Sequence, residues 1–265
     1  MTVPHTLSGA PWRRLAVVGD SIAEGVREPH DGYRDFSWID RIAESLHAED
    51  PQLEVLNLGR RNLLAREVLA SQLDAALSFR PDLAIVAAGG NDALRRSFAP
   101  DVVERELDVI VGSLAGAGAD VVMLELMDIV ASGLVPPEHA GPLDERMRAL
   151  AALTRRVARR QGALLVEMRG HPASADPGLY AGDRLHLNAR GHAIVAGEAV
   201  RVLRSAILVR GLREVCITEA ELLADLSWPG PPPGEWRVPQ RSARRATARS
   251  MSRRIRPEPS RITIQ

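Results

Sequence analysis

Five short aliphatic runs constrain this chain more than any other feature: Leu15–Gly19, Leu53–Asn57, Leu83–Ala88, Asp120–Leu126 and Ala163–Glu167. Each is rich in Val, Leu, Ile or Ala without polar alternation, the pattern of a strand covered on both faces. Amphipathic helical patterns separate them at about Arg34–Ala48, Leu63–Phe79, Pro100–Ala117 and Leu143–Gln161, and a last one covers Ala189–Leu208. Gly162 after the fourth pattern, and Gly116 or Gly118 after the third, suit C-terminal caps. Strands separated by helices need right-handed crossovers, which place a parallel sheet between two helical layers. The expected fold is therefore α/β, a three-layer α/β/α sandwich around a five-stranded parallel sheet of flavodoxin-like order. In such sheets ligands bind beyond the carboxyl ends of the strands, near the topological switch point. The loops after the strands are where chemistry is expected.

Composition narrows the function. Formal net charge is +0, so global charge points to no polyanionic partner, and an aromatic content of 3% argues against stacking platforms for nucleic acid. Every basic residue is Arg. The one cysteine, Cys216, allows neither an intramolecular disulfide nor a thiolate metal cluster. The start, "MTVPHTLSGAPWRR", lacks an apolar h-region. No apolar run approaches the roughly 20 residues of a membrane span. A cytoplasmic protein is expected, with no membrane span, no nucleic acid partner and an undetermined oligomeric state. The compact domain is read as residues 1–211. Residues 212–265, with "WPGPPPGEWRVPQ" and then "RSARRATARSMSRRIRPEPSR", read as a Pro-rich linker and a basic, poorly ordered tail, with one further short helix at Glu214–Leu226.

The polar residues that follow the strands form an ordered set. Ser21 follows the first strand in "GDSIAEG", and "NLGRRN" (57–62) follows the second. Asn91 follows the third in "AGGNDAL", and Asp183 and His186 precede the last helix in "YAGDRLHLNARGH". A serine hydroxyl is a weak nucleophile until an imidazole removes its proton, and His186 has that chemistry. Asp183, three residues earlier, can orient the imidazole and stabilise its cation. The backbone N–H of Ser21, the side-chain amide of Asn91 and a backbone N–H of the second loop can stabilise an oxyanion.

With its GDSI, GGND and DRLHLNARGH blocks, the chain resembles the SGNH hydrolases, or GDSL-like lipase and esterase superfamily, over about residues 13–208. "RPDLAIVAAGGND" and "GALLVE" resemble its cytoplasmic actinobacterial-type members. The resemblance implies Ser21 as nucleophile, His186 as base and Asp183 as its orienting acid. It also implies oxyanion donors from Ser21 N–H, the Asn91 side chain and a backbone N–H in the second block. There the chain departs from the family. The position five residues after Asn57, where the family carries Gly, is Asn62. Any residue supplies a backbone N–H if its conformation fits, and Asn tolerates left-handed backbone well. Asn62 is the expected donor, with Gly59 as the alternative.

Other polar residues have plainer readings. Asp20 reads as a loop-shaping partner, His192 as a packing or capping residue of the last helix, and Cys216 as a small apolar residue. His139 and His171 fall in Pro-rich loops without metal-ligand spacing. Gly89–Gly90 opens no nucleotide-binding motif. The expected activity is hydrolysis of a small-molecule acyl ester through a Ser-His-Asp acyl-enzyme, without metal or organic cofactor. Alternatives are an acyltransferase or a deacetylase of sugars or secondary metabolites, or a non-catalytic binding protein on the same scaffold. The segments "REPHDGYRDFSW" and "MDIVASGLVPPEHAGPL" are the expected pocket walls.

Overall fold

The computed structural model describes residues 7–214, with side chains to residue 211. The expectations for the linker, the basic tail, the short helix beyond Glu214 and Cys216 lie outside the described residues. The strands are β1 (Arg14–Gly19), β2 (Glu54–Asn57), β3 (Leu83–Ala87), β4 (Asp120–Glu125) and β5 (Leu164–Glu167). The helices are α1 (Ser21–Glu24), α2 (Trp38–His47), α3 (Ala65–Phe79), α4 (Gly90–Ala93), α5 (Pro100–Gly116), α6 (Pro137–Gln161) and α7 (Ala189–Glu214). All strand pairs are parallel, in the order β2-β1-β3-β4-β5, which is the expected doubly wound sheet. Helix α2 packs with α7, while α3, α5 and α6 pack in a row. Right-handed crossovers put these two sets on opposite faces of the sheet. The central strands β1 and β3 are buried almost throughout, whereas β2 is an exposed edge.

Two helix starts differ from the periodicity. Helix α2 begins at Trp38 because Ser37 and Asp40 form a capping box: Asp40 N donates to Ser37 Oγ at 3.0 Å and Ser37 N to Asp40 Oδ2 at 2.8 Å. Helix α6 begins at Pro137, ahead of the expected Leu143, and contains Pro142. A proline leaves the carbonyl four residues earlier without its helical donor. Residues 137–139 are exposed here, so water can satisfy that group at Glu138. His139 consequently lies on this helix, not in a loop. At the C-termini, Gly162 caps α6 in left-handed conformation, and Gly118 takes the positive φ after α5 while Gly116 stays helical.

His192, in the first turns of α7, ties the layers together. It is 2% exposed; its Nδ1 accepts from Trp38 N at 3.0 Å and its Nε2 donates to Val26 O at 3.1 Å. This pattern needs a neutral ring with its proton on Nε2. Burial accordingly pushes His192 down from 6.5 to about 4. Between those pH values the unfolded chain binds the proton and the native one does not, so this contribution is present above 6.5 and fades as pH falls toward 4. Urea unfolding of the chain and of His192→Asn is expected to differ by on the order of 3 kcal/mol more at neutral pH than near pH 4. Other titrating groups are common to both proteins and cancel in the difference. A gap that stays constant with pH would contradict a neutral buried His192.

Candidate active site

The candidate site lies at the carboxyl edge of β1 and β3, where the chain order switches direction. β1 ends at Gly19, whose φ is 147°, and an added Cβ there would lie 1.9 Å from Ala87 O. Only glycine lets the end of β1 pass β3 this closely. Asp20 then caps α1, accepting from Ile22 N at 3.0 Å, and places Ser21 as the first helical residue. The N–H groups at a helix start have no partner within the helix, so Ser21 offers a backbone donor beside its hydroxyl.

His186 reaches this serine from the loop before α7. His186 Nε2 lies 2.8 Å from Ser21 Oγ, and His186 Nδ1 lies 2.6 Å from Asp183 Oδ2. The other Asp183 oxygen accepts from Leu185 N at 2.9 Å and His186 N at 3.0 Å, so the acid also shapes the loop that carries the base. Partial burial pushes the Asp183 carboxyl up, but the His186 ring and these two N–H groups outweigh it and hold it below the usual range. The imidazole thereby has an anionic partner on Nδ1 and a hydroxyl on Nε2, the arrangement that lets a histidine take a serine proton.

The second and third loops are laced to each other and to α1. Asn91 Nδ2 donates to Leu63 O at 3.0 Å, and Ala65 N donates to Asp92 Oδ2 at 2.9 Å. Arg60 N donates to Gly19 O at 3.2 Å, and Arg61 N to Glu24 Oε2 at 2.7 Å. The Arg61 guanidinium also pairs with Glu24 at 2.8 Å, chiefly through which the Glu24 carboxyl is held low. Asn62 adopts φ 69°, the left-handed backbone expected of an Asn at this position. Gly59 does not serve as the alternative donor, because its N–H is already given to Asn57 Oδ1 at 2.8 Å. Its glycine character answers to packing: a Cβ would lie 2.3 Å from Glu24 N.

Ser21, Asn91 and His186 line one cleft. Its walls are mostly apolar and include Leu124, Met127, Ile129, Met147, Met168 and Val195. Met127 and Ile129 come from the expected segment after β4, which Arg169 holds by pairing with Asp128 at 3.0 Å and with Asp144 on α6. The segment after β1 contributes only Trp38 of its residues 27–38. Its polar residues are engaged elsewhere: Arg27 Nε donates to Asp35 Oδ1 at 2.8 Å, Arg34 Nη1 to Glu44 Oε1 at 2.8 Å, and Glu28 Oε2 accepts from Gly182 N at 2.8 Å. Asp20 also lines the cleft; burial pushes its carboxyl up to about 7, and it holds a backbone N–H, not the histidine. Among the described residues, no group of three His, Cys, Asp or Glu side chains is placed to hold a metal ion. Gln72 is the residue at this edge that sequence patterns did not single out. Its signal was a polar side chain on the buried face of α3, between Val68 and Ala76.

Comparisons with known proteins agree with this architecture. The chain is similar to an arylesterase of Vibrio mimicus, 27% identical over 126 residues, which cover 48% of this chain and 57% of that protein. The aligned part thus spans little more than half of the relative's length. Among solved structures, it is similar to LAE5, an alpha/beta hydrolase enzyme from the metagenome of Lake Arreo, with a TM-score of 0.59 at 24% identity over 76% of this chain and 98% of that one. It is also similar to an acetyl xylan esterase of Geobacillus stearothermophilus, with a TM-score of 0.59 at 20% identity over 75% and 97%. At these identities the structural likeness speaks to the fold alone. The model of the GDSL-like Lipase/Acylhydrolase family matches residues 17–194, from within β1 to the start of α7, and the chain belongs to that family.

Proposed function

We propose that this chain hydrolyses acyl esters of small molecules through an acyl-enzyme on Ser21. The observation that carries the reading is the relay from Asp183 through His186 to Ser21, at 2.6 Å and 2.8 Å. Ser21 Oγ attacks the ester carbonyl carbon while His186 Nε2 takes the hydroxyl proton. Asp183 keeps the proton on Nδ1 and stabilises the imidazolium. The oxyanion faces the N–H of Ser21, the Asn91 amide and the N–H of Asn62. Collapse breaks the bond to the leaving oxygen, which takes the proton from His186 and departs as the alcohol. Water, giving its proton to His186, then attacks the acyl carbon; the bond to Ser21 Oγ breaks, Oγ takes the proton back from His186, and the carboxylic acid leaves.

The cleft supports an ester with apolar alkyl or aryl parts over an acylated sugar. Its apolar lining, with methionines from three separate segments, suits an alkyl or aryl group and offers few partners to a polyol. We assign the third donor to the N–H of Asn62 because its φ of 69° is the left-handed backbone that a glycine would also adopt.

Ser21→Ala is expected to lower kcat for p-nitrophenyl butyrate by roughly 10⁴-fold or more and to abolish labelling by a fluorophosphonate probe. Turnover or labelling that persists would overturn the assignment. Asn91→Ala is expected to cost about 10²–10³ in kcat and, because it also removes the bond to Leu63 O, to lower the melting temperature slightly. Asn62→Gly keeps the N–H and the positive φ, so kcat is expected to stay close to that of the parent. A large loss there would mean that the asparagine side chain, not its backbone, does the work.

A further inference from the structure

The strand that delivers Ser21 loses one neighbour before it ends. On the β3 side pairing continues to Gly19↔Ala87, but on the β2 side it stops at Val17↔Asn57. In a parallel ladder alternate residues present both N–H and C=O to the same neighbour. Val17 O accepts from Leu58 N at 2.8 Å, so Gly19, two residues on, faces the side that β2 has left. A side chain meets it there. Gly19 N donates to Gln72 Oε1 at 2.7 Å, and Gln72 Nε2 donates to Gly19 O at 2.9 Å. Gln72 is 3% exposed. Its carboxamide replaces the missing strand, one acceptor and one donor for one residue's donor and acceptor.

The place of this clamp gives it consequence. Gly19 O also accepts from Arg60 N, so the nucleophile turn and the second loop both depart from the residue that Gln72 holds. On the opposite side there is no slack, because Gly19 already lies against Ala87 O. Removing the amide strands the buried Gly19 N–H and leaves Gly19 O with Arg60 N as its remaining donor, so the N–H recovers a partner only through water entry or a shift of the turn. A displacement well under 1 Å is enough to spoil an attack geometry.

We infer that Gln72 is a positioning residue of the acyl-transfer site, holding Ser21 in reach of His186 through the main chain of Gly19. It touches no substrate, and the inference rests on Ser21 being the nucleophile. A carboxylate in its place repels Gly19 O, whereas a protonated carboxylic acid offers it an O–H and still accepts from Gly19 N. Gln72→Glu is therefore a titratable version of the clamp, and Gln72→Leu an apolar one.

The test uses the full chain and both variants, with circular dichroism to establish the folded fraction. In Gln72→Leu, kcat for p-nitrophenyl butyrate is expected to fall by roughly 10²-fold with KM within about twofold, and fluorophosphonate labelling to slow in the same proportion. In Gln72→Glu, activity is expected near that of the parent at about pH 6 and to decline toward about pH 9, the range in which a buried glutamic acid ionises. This variant also serves if Gln72→Leu does not fold. Amide hydrogen exchange gives a readout independent of catalysis: Gly19 N–H is expected to lose protection in Gln72→Leu while the amides of β3 keep theirs. Parental kcat, labelling and exchange in both variants would overturn the inference, as would losses that only follow the folded fraction. If the parent chain itself neither turns over ester nor labels, the acyl-transfer reading fails, and Gly19 exchange alone then decides whether Gln72 positions the turn.

Discussion

The approach of Gly19 to Ala87 is the constraint on which the candidate site depends. A side-chain carbon at position 19 would sit 1.9 Å from the Ala87 carbonyl oxygen, so the two central strands end almost in contact. That proximity brings the loop bearing Ser21 beside the loop bearing Asn91. It also explains why the turn begins with a glycine and is capped at once by Asp20, whose N–H donates to Ala87 O at 3.1 Å. The serine is aimed by backbone geometry before any side chain contacts it.

Hydrogen bonds between loops then convert four separate chain segments into one surface. The second loop is tied to Gly19, Glu24 and Asn91, and the third to Leu63 and Ala65. Such cross-links matter because each loop alone has little buried apolar area to hold its shape. The segment before α7 is held to the stretch after β1, with Gly182 N donating to Glu28 Oε2 at 2.8 Å and Ala189 N to Glu28 O at 2.8 Å, while Asp183 bonds its own loop and the ring of His186.

Two titratable groups close to this surface are shifted chiefly by burial. Asp20 is pushed up to about 7 and His192 down to about 4; Asp20 Oδ1 accepts from Ile22 N, and both ring nitrogens of His192 bond the backbone. Asp183, by contrast, is half exposed and has a histidine and two N–H groups as partners, so it remains a carboxylate able to support a cation. Solvent access and partner choice, more than residue type, divide the histidines into one that holds layers and one that faces the serine.

Much of this was legible in the sequence because it is written in local patterns. The unbroken apolar runs determined parallel strands covered on both faces, and Ser21, Asn91, Asp183 and His186 each follow a strand pattern or precede a helix pattern closely enough to be placed. Asn62 was legible as a residue able to take positive φ, since that tolerance belongs to its own side chain. The rest needed contacts that apolar and helical patterns do not report. Helix α6 read as starting at Leu143 because the cost of Pro142 inside a helix depends on exposure, which no local pattern reports. The stretch after β1 read as a polar pocket wall because its Arg–Asp pairing was not visible. Gly59 read as a possible donor because strand and helix patterns do not report the Asx bond by which Asn57, two residues back, takes its N–H. Gln72 lay hidden among apolar helix positions, since its partner, Gly19, is 53 residues away. Sequence by itself determined the fold class and the edge of the sheet on which Ser21, Asn91, Asp183 and His186 fall. The tertiary structure alone decided which polar atoms are already spent, because hydrogen-bond partners are chosen by distance in space, not by order along the chain.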